Sequence, residues 1–412
     1  MSSLKMQVGV FHPGTQHSWQ TALAFQEEGN LAWYSTSVFY DPRHWPYRIE
    51  CYVPARYHQR LHREFTRRYT PLLDPSLVRH LGWWKWLETA ATRLNARKLG
   101  SRLNHIGDVR FGAQVIRLIE REPVDLVWGY NGSALEVFRW AKPRGIRCIL
   151  DQTIGHPVAE NTIMKTEHTR NPDFFFGDYE AFPQDWIQRQ DEEVALADHV
   201  VVGSEFCART MIDNGCPTDK VSIVPYGYDE TMMPNKIPAR SDPRSHPVKF
   251  IFVGAVGPRK GVPYLLRAFS RLPKNAASLT LVGRLDIPAN TFMRFADYIH
   301  HVPQVPRSEV ARYFLDGDCF IFPSLFEGGG IVLYEARGAG LGIIQSNACG
   351  DGVLSDRNGI VLRSISADTV LQAMESVLDH PDRLVNWQAA SWEMREERTW
   401  GRYREKIRQL VM

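Results

Sequence analysis

The chain has 412 residues, of which 44% are apolar, 23% charged and 11% aromatic, a length that predicts two domains and a composition that excludes disordered, collagen-like and coiled-coil chains. No apolar run approaches the ~18 to 20 residues that a membrane-spanning helix needs, and the start, MSSLKMQVGVFHPGTQ, enters a strand pattern with no apolar leader, so a cytoplasmic protein is expected. The net charge of +3 hides an uneven distribution: residues 43–110 carry fourteen Lys and Arg against five Asp and Glu, a local excess of +9 that predicts one basic side.

In chain order, short β-branched or apolar runs alternate with helical patterns, the signature of α/β architecture with parallel sheets. Strands are expected over 6–12 (MQVGVFH), 31–39, 125–130, 147–153, 199–204 and 221–227, with helices over 109–120 and 185–197. Residues 232–247, which combine several Pro with Ser, Arg and Asn and have no apolar period, read as a linker. Beyond it strands are expected over 248–256, 278–283, 319–324, 341–346 and 359–362. Val262, Leu265, Leu266, Phe269 and Leu272 recur at helical spacing after the first of these, and the tail SWEMREERTWGRYREKIRQLVM is helical in pattern. The six cysteines (Cys51, Cys148, Cys207, Cys216, Cys319, Cys349) show no CxxC or Cys/His pairing and read as reduced packing residues.

Two segments carry chemistry. FEGGGIVLYEA places Glu327 in a loop after a strand, then three glycines, then a helix beginning near Ile331 with Glu335 one turn in. Glycines let the backbone approach a ligand, and a helix start offers N–H groups to an anion such as a diphosphate, while paired carboxylates suit a vicinal diol. The other reading is a glycine-rich turn with two solvated glutamates. FVGAVGPRKGV sets Arg259 and Lys260 in a glycine loop at the end of a parallel strand, where open α/β sheets bind ligands. The segment is neither Walker A nor GxGxxG, and the other reading is a solvated surface Arg-Lys pair.

These segments, in this order within the second of two Rossmann-like halves, resemble the family-4 glycosyltransferases, retaining nucleotide-sugar enzymes. VVVGSEFCARTMIDNGCPTDKVSIVPYG, DCFIFPSLFEGGGIVLYEARGAG and WEMREERTWGRY add to the resemblance, which is strong over the C-terminal half and weaker over the N-terminal half. It implies an α/β GT-B fold, two Rossmann-like domains facing each other across a cleft. Residues 1–231 would form the acceptor-side domain with a basic insertion at 43–110, 232–247 the linker, 248–392 the donor-binding domain, and 393–412 a helix crossing back.

Carried over residue by residue, the resemblance implies that Glu327 contacts the transferred sugar and Glu335 the ribose. Gly329, Gly330, Ile331 and Val332 would meet the sugar and diphosphate through the backbone, and Arg259 with Lys260 the diphosphate. Gly14 stands where the family has glycines near the phosphates, or in a plain turn. His156 would face the sugar, or else be a loop histidine or a partner of Asp151. Ala255, Gly329, Arg337 and Gly338 depart from the family pattern; Gly329 replaces an aromatic.

A nucleotide-sugar donor and a lipid-linked or cell-surface glycan acceptor are expected, as in polysaccharide biosynthesis, with no cofactor and no metal; the Asp316/Asp318 pair reads as structural. A non-catalytic GT-B subunit and a sugar-nucleotide epimerase are the alternative functions. The basic stretch, with Trp45, Trp83, Trp84 and Trp86, suits an anionic membrane surface at the inner face, an anionic acceptor, or a solvated insertion; nucleic acid is disfavoured, since no binding motif accompanies the charge.

Overall fold

The structure is a computed structural model that describes residues 5–14, 16–66, 70–81, 97–238, 240, 242–354 and 357–411. Packing divides the chain into two compact units: Met1–Gln152 with Gln188–Val201 and Arg404–Met412, and Thr153–Ile187 with Val202–Tyr403. Trp83, Trp84 and Trp86 lie outside the described residues.

The chain runs β1 (Val8–Phe11), α1 (Ser18–Glu27), β2 (Leu31–Thr36), α2 (Ala55–Thr66), β3 (Val78–His80), α3 (Arg97–Arg121), β4 (Leu126–Tyr130), α4 (Leu135–Ala141), β5 (Arg147–Gln152), α5 (Pro157–Arg170), α6 (Gln184–Leu196), β6 (His199–Val202), α7 (Glu205–Ile212) and β7 (Val221–Ile223). It continues through β8 (Val248–Val253), α8 (Val262–Phe269), β9 (Ala277–Val282), α9 (Ala289–Met293), β10 (His300–Val302), α10 (Arg307–Asp316), β11 (Cys319–Phe322), α11 (Ile331–Gly338), β12 (Gly342–Ser346), β13 (Gly359–Leu362), α12 (Ala367–Asp379), α13 (Pro381–Glu393) and α14 (Trp400–Val411).

Two sheets result, with strand orders β3-β2-β1-β4-β5-β6-β7 and β10-β9-β8-β11-β12-β13. The pairs β1·β2, β1·β4, β8·β9, β8·β11 and β11·β12 are all parallel. Strands such as β1, β4 and β11 are buried along their whole length, the pattern of a parallel sheet covered on both faces. Each order reverses once, between β1 and β4 and between β8 and β11. A doubly wound sheet opens a crevice outside the strand ends at such a reversal. Because Phe250 pairs with Cys319 and Ile251 with Phe320, the loops that follow β8 and β11 leave the sheet side by side.

Sequence pattern and structure differ in instructive places. Strands β3 and β10 are three residues long and escape periodicity; β3 forms by parallel pairing with Tyr34–Thr36 and β10 by pairing with β9. Helix α8 ends at Phe269 and excludes Leu272, because Pro273 disfavours helical backbone just before it. The tail is not one helix: the 3-10 turn Arg395–Arg398 separates α13 from α14. Cys51 is exposed, so the expectation that all six cysteines pack inside is corrected; it sits in the 3-10 segment Tyr47–Tyr52, whose buried side chains are Tyr47 and Glu50. The other five thiols are buried and free. No helix among the described residues is long and apolar enough to cross a membrane.

Candidate functional site

The loop after β8 becomes a 3-10 turn, Pro258–Lys260, that ends on Gly261 in the left-handed region (φ 69°). A Cβ at Gly261 would stand 1.9 Å from the Pro323 carbonyl oxygen, so only glycine lets this turn close onto the end of β11. The Leu325 N–H donates to the Arg259 carbonyl at 2.8 Å and locks the two loops together. These contacts bring together the residues singled out in the two glycine loops.

Arg259 Nη1 donates to the Phe326 carbonyl at 2.7 Å and to Glu327 Oε1 at 3.1 Å, and the Lys260 ammonium reaches the same Oε1. Ser324 Oγ lies 3.0 Å from that oxygen and 3.1 Å from the Arg259 carbonyl. The Lys260 ammonium also sits 4.9 Å from the Phe322 ring centroid, a cation–π distance. Burial pushes the Glu327 carboxyl up, but Lys260 and Arg259, with hydrogen bonds from Lys260 and Ser324, outweigh it and hold the carboxyl below its ordinary value. Burial pulls the Lys260 ammonium down, with Arg259 adding to the effect and Glu327 opposing it. The centre is therefore a buried ionised carboxylate faced by two cations.

Helix α11 starts beside it. Gly330 is the N-cap in the left-handed region (φ 53°), and the first N–H groups of the helix, Ile331 and Val332 among them, have no intrahelical acceptor. Their dipoles favour a negative group at this end. At Gly328, a Cβ would fall 1.8 Å from the Thr153 carbonyl oxygen. Gly329 packs against Tyr226, whose ring carbons lie 2.6 Å from where a Cβ would be, so an aromatic of another loop occupies the space beside position 329.

Glu335 is buried one turn along α11 and accepts from Arg307 Nη2 at 3.0 Å. Burial raises its carboxyl above the ordinary value, with Arg307 opposing and Asp229 reinforcing the shift. Arg337 is fully buried and ties α11 to the turn before α14, donating to the Met394 carbonyl and, at 2.8 Å, to Glu397. His156 caps α5: its ring Nδ1 accepts from the Val158 N–H at 3.3 Å, and its backbone N–H donates to Thr210 Oγ1 at 3.0 Å. Asp318 accepts the Lys249 N–H at 2.9 Å and Asp316 pairs with the Lys249 ammonium.

Gly14 belongs to the first unit. Its carbonyl accepts from Thr36 Oγ1 at 3.0 Å, and its backbone lies against the His12 ring. Asp151, at the end of β5, is held by His17 Nε2 at 3.2 Å and Trp128 Nε1 at 3.3 Å. His17 is thus a histidine on Asp151.

Sequence reasoning missed three members of the second unit's site. Ser324 stands two residues past the end of strand β11, a position that could have been noticed. Arg307 stands far along the chain from Glu335, and no local pattern signals it. Glu160, on α5, is coupled electrostatically to both Arg259 and Glu327, and burial pushes its carboxyl up.

Residues 235–394 match the family described as glycosyl transferases group 1. The chain is 26% identical over 205 residues to the D-inositol 3-phosphate glycosyltransferase of Pseudarthrobacter chlorophenolicus, covering 46% of this chain and 49% of that protein. It thus spans about half the length of the curated relatives it matches. Among solved structures it resembles the sucrose-phosphate synthase of Thermosynechococcus elongatus (TM-score 0.65, 16% identity, 98% of each chain). It also resembles Anabaena HepE in complex with UDP-glucose (TM-score 0.60, 11% identity, 98% of this chain and 99% of that one). The two parallel sheets and these likenesses give the chain the α/β GT-B fold.

Proposed function

We propose that this chain is a retaining, family-4-type glycosyltransferase that moves a sugar from a nucleoside-diphosphate sugar to a lipid-linked or cell-surface glycan. The observation that carries this reading is the Lys260/Arg259/Glu327 cluster beside the N-terminus of α11, inside the segment that matches the group 1 glycosyl transferases. Two cations face one carboxylate there, so an incoming diphosphate finds positive charge already in place. As the bond from the anomeric carbon to the diphosphate breaks and one to the acceptor oxygen forms, Lys260, Arg259 and the helix N–H groups take up the charge of the leaving group. That is the charge a divalent ion would otherwise neutralise, so the reading needs none.

In this proposal Glu327 touches the transferred sugar, Glu335 the ribose hydroxyls, and the backbone of Gly329, Gly330, Ile331 and Val332 the sugar and diphosphate. His156 donates to a sugar hydroxyl and Gly14 admits the phosphates. The group 1 match favours transfer over a binding-only subunit. Incubation of the purified chain with UDP, GDP and ADP sugars and glycan acceptors, read by product NMR, tests it. Transfer with the donor's anomeric configuration kept is the expected result; inversion refutes the retaining mechanism, and an epimerised donor or no turnover refutes transfer itself.

The cytoplasmic location at the inner membrane face is part of the same proposal, supported by the charge excess at 43–110 and by Trp45, which is 66% exposed. Salt-sensitive flotation with anionic but not neutral liposomes is expected. Equal recovery with both would leave the arginines to an anionic acceptor.

A further inference from the structure

We propose that Asp41, His44 and His80 form a zinc site in the first unit, separate from the glycine-loop cluster and independent of the function proposed above. One ligand atom from each residue lies within 4.8 Å of those of the other two. His44 Nδ1 is already 3.1 Å from Asp41 Oδ2, and the His44 and His80 rings stack with centroids 4.5 Å apart and 16° between planes. Ligands around tetrahedral zinc, bound at about 2.0 to 2.2 Å, stand roughly 3.3 Å from one another. One pair meets that spacing now, and the remaining ligand atoms, already within 4.8 Å of one another, need only small side-chain adjustments to close on an ion.

The ligand types select the metal. Two imidazoles and a carboxylate suit zinc and its transition-metal neighbours, whereas magnesium and calcium demand oxygen. The three residues stand on two different segments: Asp41 and His44 follow β2, and His80 ends the three-residue edge strand β3. Asp41 is buried, so its side chain has already lost most of its freedom, which spares part of the ordering cost of binding. A cavity of about 480 Å³ adjoins the triad and has room for a fourth ligand. The site would pin the start of the basic stretch to the sheet edge, a clip for a strand too short to hold itself.

The charges around it are known. Arg43 grips both carboxylate oxygens of Asp41, with Nε 3.0 Å from Oδ1 and Nη2 2.8 Å from Oδ2. Arg79 is matched by Glu122 through two hydrogen bonds, and Arg117 and Arg121, also on the cavity wall, are exposed where water screens them. Arg43 is thus the direct competitor of a metal for Asp41, and its side chain is 74% exposed, so it can leave.

The test uses the untagged full chain, stripped with chelator and dialysed against zinc. Atomic emission should find one zinc per chain, and zinc should raise the thermal midpoint. His44→Ala and His80→Ala should each weaken zinc by about tenfold or more, with the midpoint no longer responding. Arg43→Ala, at an exposed side chain that threatens no core, should tighten zinc by freeing Asp41. No zinc retained by the wild type, or zinc retained equally by both histidine variants, overturns the site; unchanged or weaker binding in Arg43→Ala overturns Asp41 as a ligand.

Discussion

The strand-order reversals of the two units are built alike and charged differently. At the β1/β4 reversal of the first unit, Asp151 at the end of β5 is 1% exposed and is met by the His17 ring and the Trp128 indole, with Tyr130 packed against both His12 and His17. At the β8/β11 reversal of the second, Glu327 is 8% exposed and is met by an ammonium and a guanidinium. The same topology supplies a buried carboxylate in each case. Aromatic N–H and O–H groups suit hydroxyls and neutral ligands, whereas a cation pair that outnumbers its carboxylate attracts anions. Fold alone therefore does not say which end carries the charge that holds a phosphate; the residues placed on the loops do.

The largest effect expected from breaking this contrast is at Lys260. Lys260→Ala removes one partner of a buried ion pair, which typically costs about 3 kcal/mol or more, reduced here because Arg259 and Ser324 still reach Glu327. Denaturant unfolding measures that loss. Donor turnover should fall by roughly tenfold to a hundredfold as a charge-assisted contact disappears. An unchanged kcat/KM in folded protein would remove the cations from the reaction.

A smaller effect is expected at the matching carboxylate. Asp151→Asn weakens the contacts of His17 and Trp128 and should cost about 1 to 2 kcal/mol. Nucleoside diphosphate binding by calorimetry should stay at the wild-type level. Loss of that binding would mean that the two ends do not divide the chemistry as their charges suggest.

The effects sharpest in sign concern the two glutamates of the second unit. Glu327 is held below its ordinary value of 4.5, so its ionised form stabilises the fold above that pH and the contribution is lost as the pH falls through the lowered value. Glu335 is raised above 4.5, so its ionisation takes stability away as the pH rises from 4.5 through the raised value. Relative to wild type, Glu327→Gln should be weakest near neutrality and recover in acid, while Glu335→Gln should gain as the pH rises. Thermal midpoints followed on both sides of pH 4.5 would expose parallel curves if the assignment is wrong.

Long elements were legible in the sequence because burial on both faces writes an apolar run directly, as in KFIFV and CFIF. The glycine loops were legible because a left-handed turn at Gly261 and a close approach at Gly328 tolerate only one residue type. Strands β3 and β10 were not, since VRH and HHV each hold a single apolar residue and write no apolar run. Neither was the partner of Glu335: Arg307 stands on a different helix, and nothing near either residue in the chain announces the pair.

By itself the sequence determined the α/β alternation, the order of the two glycine loops, and the residue types able to meet an anion there. Those are local properties, set by side-chain period and backbone sterics. Only the tertiary structure decided that Lys260 and Arg259 share one oxygen of Glu327, that Asp151 pairs with His17, and that His80 comes beside Asp41 and His44. Each of these joins groups that the sheet register brings together from separate segments, and the energy that holds them lies in burial and charge pairing across that distance rather than in any neighbouring stretch of chain.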